Sequence, residues 1–237
     1  MSSNADLCYS AALKAFENRD VRNAFALFHE AAKNGHPDAQ FRTGKFFYYG
    51  IAVQKSYKDA MKWFRLAAKQ GCVPAMSELG IMYSEGKDVQ RSPAKAFMWT
   101  KKAADAGHPE AVANLGTLYE AGIGTERNLK HAVRCYENAA DAGIAKACYA
   151  LAILCYNGAG TREDHARCAR LCKKAADMGV RDAIRDTAVL YYEGDGVEKD
   201  DSVALEYFRK AFKVGFAGAK KYIDEIESRC PELANKE

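Results

Sequence analysis

Four side chains in one stretch have the types and spacing to do chemistry. His165, Cys168 and Cys172 stand at i, i+3 and i+7, one face of a helix, with Cys155 a little upstream. Imidazole and thiolates in that pattern could complete a tetrahedral zinc site or form a redox-responsive thiol group. Core packing is the stronger reading. Cys168 replaces an alanine found in the other copies of an internal repeat, and Cys172 replaces an aromatic (Phe64, Tyr136, Phe208). At such positions cysteine acts as a small hydrophobe, so no metal or other cofactor is expected. Ser92-Pro93-Ala94-Lys95 has the Ser-x-x-Lys spacing of an acyl-transfer nucleophile with its lysine. Ser92, however, aligns with Ser56, Asn128 and Asp164 as a helix N-cap, and the supporting Ser-Asp-Asn and Lys-Thr-Gly elements are missing. No glycine-rich phosphate loop follows a strand, and no carboxylate pair is singled out by spacing. No catalytic residue is expected, and the chain does not read as an enzyme.

The elements that position these residues follow from an ungapped repeat. Gly35, Gly71, Gly107, Gly143, Gly179 and Gly215 recur every 36 residues, as do the alanines from Ala31 to Ala211 and from Ala39 to Ala219. Each copy reads as two helices. The first is expected over 39–49, 75–85, 111–121, 147–157 and 183–193, with apolar residues at one-turn spacing and a small residue in the middle (Gly44, Gly80, Gly116, Ala152, Ala188). A mid-helix glycine costs about 1 kcal/mol, which implies close approach of a neighbouring helix. The series Gly50, Gly86, Gly122, Gly158, Gly194 then supplies C-caps. Asp20, Ser56, Ser92, Asn128, Asp164 and Asp200 are N-caps of the second helix, whose buried face carries Ala24, Ala60, Ala96, Ala132 and Ala204 with Trp63, Trp99 and Tyr207. His36 and His108 precede prolines in turns and are expected to be exposed and inert, while Tyr83, Tyr119 and Tyr191 recur beside the loop and are expected in the core.

Helix pairs of this length bury their faces only by stacking, so the expected fold is all-α, a right-handed α/α superhelical solenoid. It comprises a degenerate repeat at 3–38, in which Phe16 to Arg19 replace the glycine loop, then repeats at 39–74, 75–110, 111–146, 147–182 and 183–218. A terminal capping helix at 219–229 completes one domain over 1–237.

The 237 residues carry 35 Lys plus Arg against 31 Asp plus Glu, a net +4 that is too balanced to announce nucleic acid. At 49% hydrophobic and 28% charged, disorder and low complexity are excluded. The longest apolar run, 147–156, is far short of the roughly 20 residues that cross a membrane. Met1 to Asp6 shows no secretory pattern and Ala234 to Glu237 no anchor or retention signal. The eight cysteines lack paired spacing and are expected as reduced thiols. A cytoplasmic monomer, without nucleic acid or membrane insertion, is the expectation.

The segments Ala75-Met-Ser-Glu-Leu-Gly-Ile-Met-Tyr-Ser-Glu-Gly86, Ala111-Val-Ala-Asn-Leu-Gly-Thr-Leu-Tyr-Glu-Ala-Gly122 and Ala96-Phe-Met-Trp-Thr-Lys-Lys-Ala-Ala-Asp-Ala-Gly107 resemble the Sel-1-like repeat, a branch of the tetratricopeptide-like helical repeats. The resemblance covers nearly the whole chain and implies a non-enzymatic scaffold or adaptor that holds other proteins together. Its Gly-x-Gly loop is kept at 122/124, 158/160 and 194/196, whereas Ala52 and Asp88 take the second glycine position in two copies. A cysteine-rich secreted branch of the family staples its repeats with Cys-x7-Cys and is linked to β-lactam binding. Cys148 matches the second cysteine of that pattern but Ala140 stands where the first belongs, so the framework is absent. A β-lactam-binding or hydrolysing enzyme, or a Cys/His metal- or redox-responsive module centred on Cys155, Cys168 and Cys172, is the alternative reading.

In tetratricopeptide-like superhelices the first helices line a concave groove suited to a protein or peptide. By that analogy the partner-binding positions are the third, seventh, tenth and eleventh residues of each first helix. The chosen contacts are Phe41, Lys45, Tyr48 and Tyr49; Ile81 and Glu85; and Tyr149, Ile153, Tyr156 and Tyr192. Two aromatic patches result, one at Phe41, Tyr48 and Tyr49, the other at Tyr149, Tyr156 and Tyr192. The stretch between them, Ala113, Thr117 and Ala121, is shallow and neutral.

Overall fold

The computed structural model describes residues 3–87 and 90–234. Asp88, one of the two loop positions without glycine, lies outside them, as do Met1, Ser2 and Asn235 to Glu237. Among the described residues there are fourteen helices and no strand. Two compact units are present, Met1–Arg127 and Asn128–Glu237. The first holds α1 (Asn4–Glu17), α2 (Val21–Lys33), α3 (Pro37–Tyr49), α4 (Tyr57–Lys69), α5 (Val73–Glu85), α6 (Pro93–Asp105) and α7 (Pro109–Ala121). The second holds α8 (Leu129–Asp141), α9 (Ala145–Tyr156), α10 (His165–Asp177), α11 (Arg181–Glu193), α12 (Asp201–Lys213), α13 (Ala219–Arg229) and α14 (Pro231–Ala234). Within each unit the strongest packing joins helices that follow one another in sequence, the solenoid pattern.

The first helices begin two residues earlier than the periodicity suggests. Pro37 and Pro109 occupy the first turn, where the missing N–H is no loss. His36 and His108 are therefore not inert turn residues. Each is an N-cap, its Nδ1 accepting from the amide of Ala39 (3.2 Å) or Ala111 (3.4 Å), and the His36 ring stacks on Tyr9 at 4.1 Å. Five of the six second-helix caps accept from the next turn, at Asp20, Ser56, Asn128, Asp164 and Asp200; Ser92 occupies its cap position without that bond. Gly50, Gly86, Gly122 and Gly194 end their helices in the left-handed conformation. α9 ends one residue short, with Asn157 as cap and Gly158 following.

Two glycines show why the side chain must be missing. A Cβ on Gly80 would run into the Thr100 hydroxyl and stand 3.1 Å from its amide nitrogen, so α5 and α6 touch there. A Cβ on Gly124 would lie 2.6 Å from the Pro93 carbonyl carbon, because that loop rests on the start of α6. Gly160 sits on the start of α8 and Gly196 on the start of α10 in the same way. Ala52 keeps the left-handed backbone (φ 60°) although it has a side chain, as does Arg19 (φ 61°) in the degenerate first loop.

The core follows the alanine and aromatic series. In the first unit Phe28, Phe46 and Trp63 form one cluster and Phe64, Leu79, Met82 and Tyr83 another. Phe64 is fully buried, contributing about 1.5–3 kcal/mol. In the second unit Leu151, Tyr207, Phe208 and Ile226 are buried. Trp99, Tyr119 and Tyr191 are only half-buried, contrary to expectation. Trp99 leaves a face under the Lys102 ammonium at 4.8 Å, and Tyr119 packs edge-on against the half-buried Phe97. No described helix is long and apolar enough to cross a membrane.

Candidate functional site

The first-helix face of the N-terminal unit is less open than its aromatic content suggests. Tyr48 is buried (9%), ringed by Tyr49, Tyr57 and Phe64, with its hydroxyl 2.6 Å from Lys87 Nζ. It is a core residue and not a groove contact, because α3 turns it onto α4. Phe41 is half-buried against Phe64. Lys45 donates to Glu78 at 2.6 Å and to the Tyr49 hydroxyl at 3.3 Å. Burial is the largest single influence and works against its charge, but the Glu78 and Tyr49 interactions together exceed it and hold the ammonium above the usual lysine range. Tyr49, 56% exposed, is the one open aromatic of the expected patch. On α5, Ile81 is half-buried and Glu85 is exposed, 2.5 Å from Lys87. The third groove position closes in two copies, since Ser77 and Ala113 are buried.

In the C-terminal unit Ile153 (40%) and Tyr156 (42%) stand open on α9. Tyr149 is half-buried and donates to Asp186 at 2.7 Å; burial, then that carboxylate, push its hydroxyl pKa up. Tyr192 is half-buried, donates to Glu225 and packs on Phe208 and Tyr222, so it fastens α11 to α12 and α13. Of the three tyrosines only Tyr156 stands open; Tyr149 and Tyr192 are half-buried, each with its hydroxyl on a carboxylate of a later helix, α11 or α13.

Beneath Ile153 and Tyr156 lies a cavity of about 220 Å³ between α9, α10 and α11. Val189 and Leu190 wall it together with Ile153, while Cys168 and Cys172 border it from α10. The sulfurs are 3.9 Å apart and both side chains are buried. Either thiol can donate to the other; the contact holds Cys168 below the ordinary thiol value and, with burial, raises Cys172. Burial also pushes Cys155 up. His165 turns its two nitrogens to Asp195 (2.5 Å) and Glu163 (3.0 Å). Among the described residues no group of three or more histidine, cysteine or carboxylate side chains is placed to hold a metal ion, and no cysteine is in a disulfide. Lys95 lies over the Tyr83 ring at 5.4 Å, and no hydrogen bond joins it to Ser92 among the described residues.

Sequence reasoning passed over Asp186 and Asp195, which border this cavity with Glu193. A usable signal exists for Asp195: it fills the middle of a Gly-x-Gly loop where the other two such loops carry Ile123 and Ala159.

The family model of the Sel1 repeat matches residues 8–36, 37–72, 73–108, 109–144, 145–180 and 181–216. From residue 37 onward its frame starts where the first helices do, at Pro37, Val73, Pro109, Ala145 and Arg181. A protective antigen of uropathogenic Escherichia coli displaying this repeat fold is similar with a TM-score of 0.89 at 26% identity, over 95% of this chain and 49% of that one. The chain thus spans about half the length of that antigen. A Sel1 repeat protein from Oxalobacter formigenes gives 0.84 at 25% identity, over 93% and 90% of the two chains. A sel1 repeat protein from Klebsiella pneumoniae, at 0.55 and 19% identity over 86% and 99%, is alike in fold alone. No curated protein matches. Six successive matches in register with six helix pairs settle the kinship: the chain belongs to the Sel1 repeat family.

Proposed function

We propose that this chain is a non-enzymatic interaction module, a monomer in the cytoplasm that docks a protein or peptide on the face of its first helices. Sel1 repeats generally mediate contacts between proteins, which makes a scaffold or adaptor the first choice of class. The supporting observation is the pair Ile153 and Tyr156, both about two-fifths exposed above an apolar-walled cavity. Large side chains held open beside a concavity are the usual anchors of a partner segment. Tyr49 is a second anchor of the same kind in the other unit.

Selection of randomised displayed peptides on the immobilised protein tests this reading. Binders are expected to lose at least about tenfold in affinity toward Ile153→Ala/Tyr156→Ala, a variant that touches no fully buried residue. Circular dichroism should show both proteins equally helical. Binders indifferent to the double variant would move the site off this face.

A further inference from the structure

The cavity beside Tyr156 recurs two repeats earlier, and the two copies differ in charge. In the first unit a space of about 190 Å³ is bordered by Ile81, Ser84, Thr100, Asn114 and Thr117. The matching positions in the second unit are Ile153, Tyr156, Cys172, Asp186 and Val189. The repeat fold itself makes the cavity, so residues that differ between copies reflect this chain's own chemistry. Asp186, Glu193 and Asp195 border the C-terminal cavity, where the first copy has Asn114, Ala121 and Ile123 at those register positions. Glu85 is the carboxylate of the first copy, and Lys87 pairs with it. No lysine or arginine lines the C-terminal copy.

The charges around it do not cancel. Arg185 pairs with Asp186 at 2.7 Å, and His165 is shared between Asp195 and Glu163. Glu193 is exposed and makes no ion pair or hydrogen bond among the described residues. In a chain of net charge +4, a rim with an excess of carboxylates is a local reversal of sign. The walls are largely apolar, and one is the exposed Tyr156 ring, which packs against His165 at 4.5 Å and leaves its other face to the solvent side. At about 220 Å³ the space is below the roughly 300–1,000 Å³ of sites that hold a whole small molecule, so it suits one side chain.

From these features we infer that the C-terminal cavity is a pocket for an arginine side chain of a partner peptide, its methylenes against Ile153 and Val189, its guanidinium over Tyr156 and facing Glu193 and Asp195. Guanidinium fits better than ammonium because it stacks on aromatic rings and its fork of donors reaches several carboxylates at once. This deepens, and rests on, the reading that the first-helix face binds peptides. It assigns no such role to the neutral cavity of the first unit, which serves as an internal control.

The test is a titration of methyl-labelled protein, followed by NMR, with a nine-residue Gly/Ser peptide carrying one central arginine, against the same peptide with citrulline or lysine. Arginine should shift the Ile153, Val189 and Leu190 methyls saturably and leave Ile81 and Leu118 unmoved. Citrulline, the same shape without charge, should bind about tenfold more weakly, and lysine should fall between. Glu193→Gln should weaken arginine binding about threefold or more without altering the fold, since Glu193 holds nothing in place. Equal binding of citrulline, equal shifts at Ile81, or no shift at all would overturn the arginine pocket. The displayed-peptide selection separates the two levels. Binders that need Ile153 and Tyr156 but show no enrichment of arginine sink this inference and leave the peptide-binding reading standing; absence of any binder to that face sinks both.

Discussion

His165 opens α10 with one carboxylate on each ring nitrogen. The Asp195 bond, then the Glu163 bond, raise its pKa above the ordinary histidine value, whereas burial, with Lys33 and Lys62 nearby, lowers that of His29. The sign of the linkage follows. A raised folded-state value means that the His165 contacts contribute fully below the unfolded value of about 6.5 and fade as pH rises through the folded one. For His29 the contribution runs the other way and is lost as pH falls. Imidazole proton shifts followed against pH should place His165 above and His29 below the ordinary midpoint, and Asp195→Asn should bring His165 down. A His165 midpoint at or under the ordinary value would remove the Asp195 contact from the account. Tyr48 and Tyr49 teach a different lesson about single residues. They are adjacent and chemically alike, yet one is buried and the other 56% exposed, because successive residues on a helix point about 100° apart. A position count borrowed from a related fold gives both the same role; only the packing of α3 on α4 separates them.

At the level of elements, the 36-residue register was legible nearly to the residue. Four of the five capping glycines and five of the six side-chain caps stand where the pattern puts them, since backbone conformation at a helix end restricts residue type sharply. Helix starts were misread by two residues because the residues ahead of them, His36, Cys72, His108, Ile144 and Val180, are not of the usual capping types. The candidate face was legible only in part. Ile153 and Tyr156 are open, but Asp195 belongs to a loop, and helix periodicity says nothing of where a loop side chain lies. Close helix contact at the mid-helix glycine is directly testable. Gly80→Ala improves helix propensity by about 1 kcal/mol, yet its methyl collides with Thr100 on α6. Overpacking of this kind costs about 1–3 kcal/mol, so the net expectation is a loss of stability of up to about 2 kcal/mol by urea denaturation. Gly80→Ala/Thr100→Ala should recover part of it. A single variant more stable than the parent would show that the two helices have room to move apart.

Across the whole molecule the eight cysteines divide by burial. Cys72, Cys148, Cys155, Cys168 and Cys172 are buried, and Cys8, Cys135 and Cys230 are half-buried. Since the thiolate is the reacting form, desolvation slows Cys72, Cys148 and Cys155 further, and among the half-buried thiols it makes Cys135 slow. An aromatic disulfide reagent at neutral pH should therefore titrate three thiols in the native protein, Cys135 the slowest, and all eight in denaturant, with no reductant added. Eight fast thiols in the native state would contradict the packing; fewer than eight on unfolding would mean that a disulfide forms. The loops after the first helices carry a further consequence. Gly124, Gly160 and Gly196 each settle on the opening residue of the preceding repeat's second helix, at Pro93, Leu129 and His165. At the equivalent residue of the 181–216 repeat, Asp201, it is the guanidinium of Arg229 from α13 that arrives, 2.7 Å from the carboxylate. The joinery thus has a direction, and it constrains how such a gene can lengthen. A tandem duplication inside the array inserts a 36-residue segment that brings both a loop for its predecessor and a seat for its successor. A loop that settled on Asp201 in the same way would lie beside the Arg229 ion pair, so the two arrangements compete for neighbouring space.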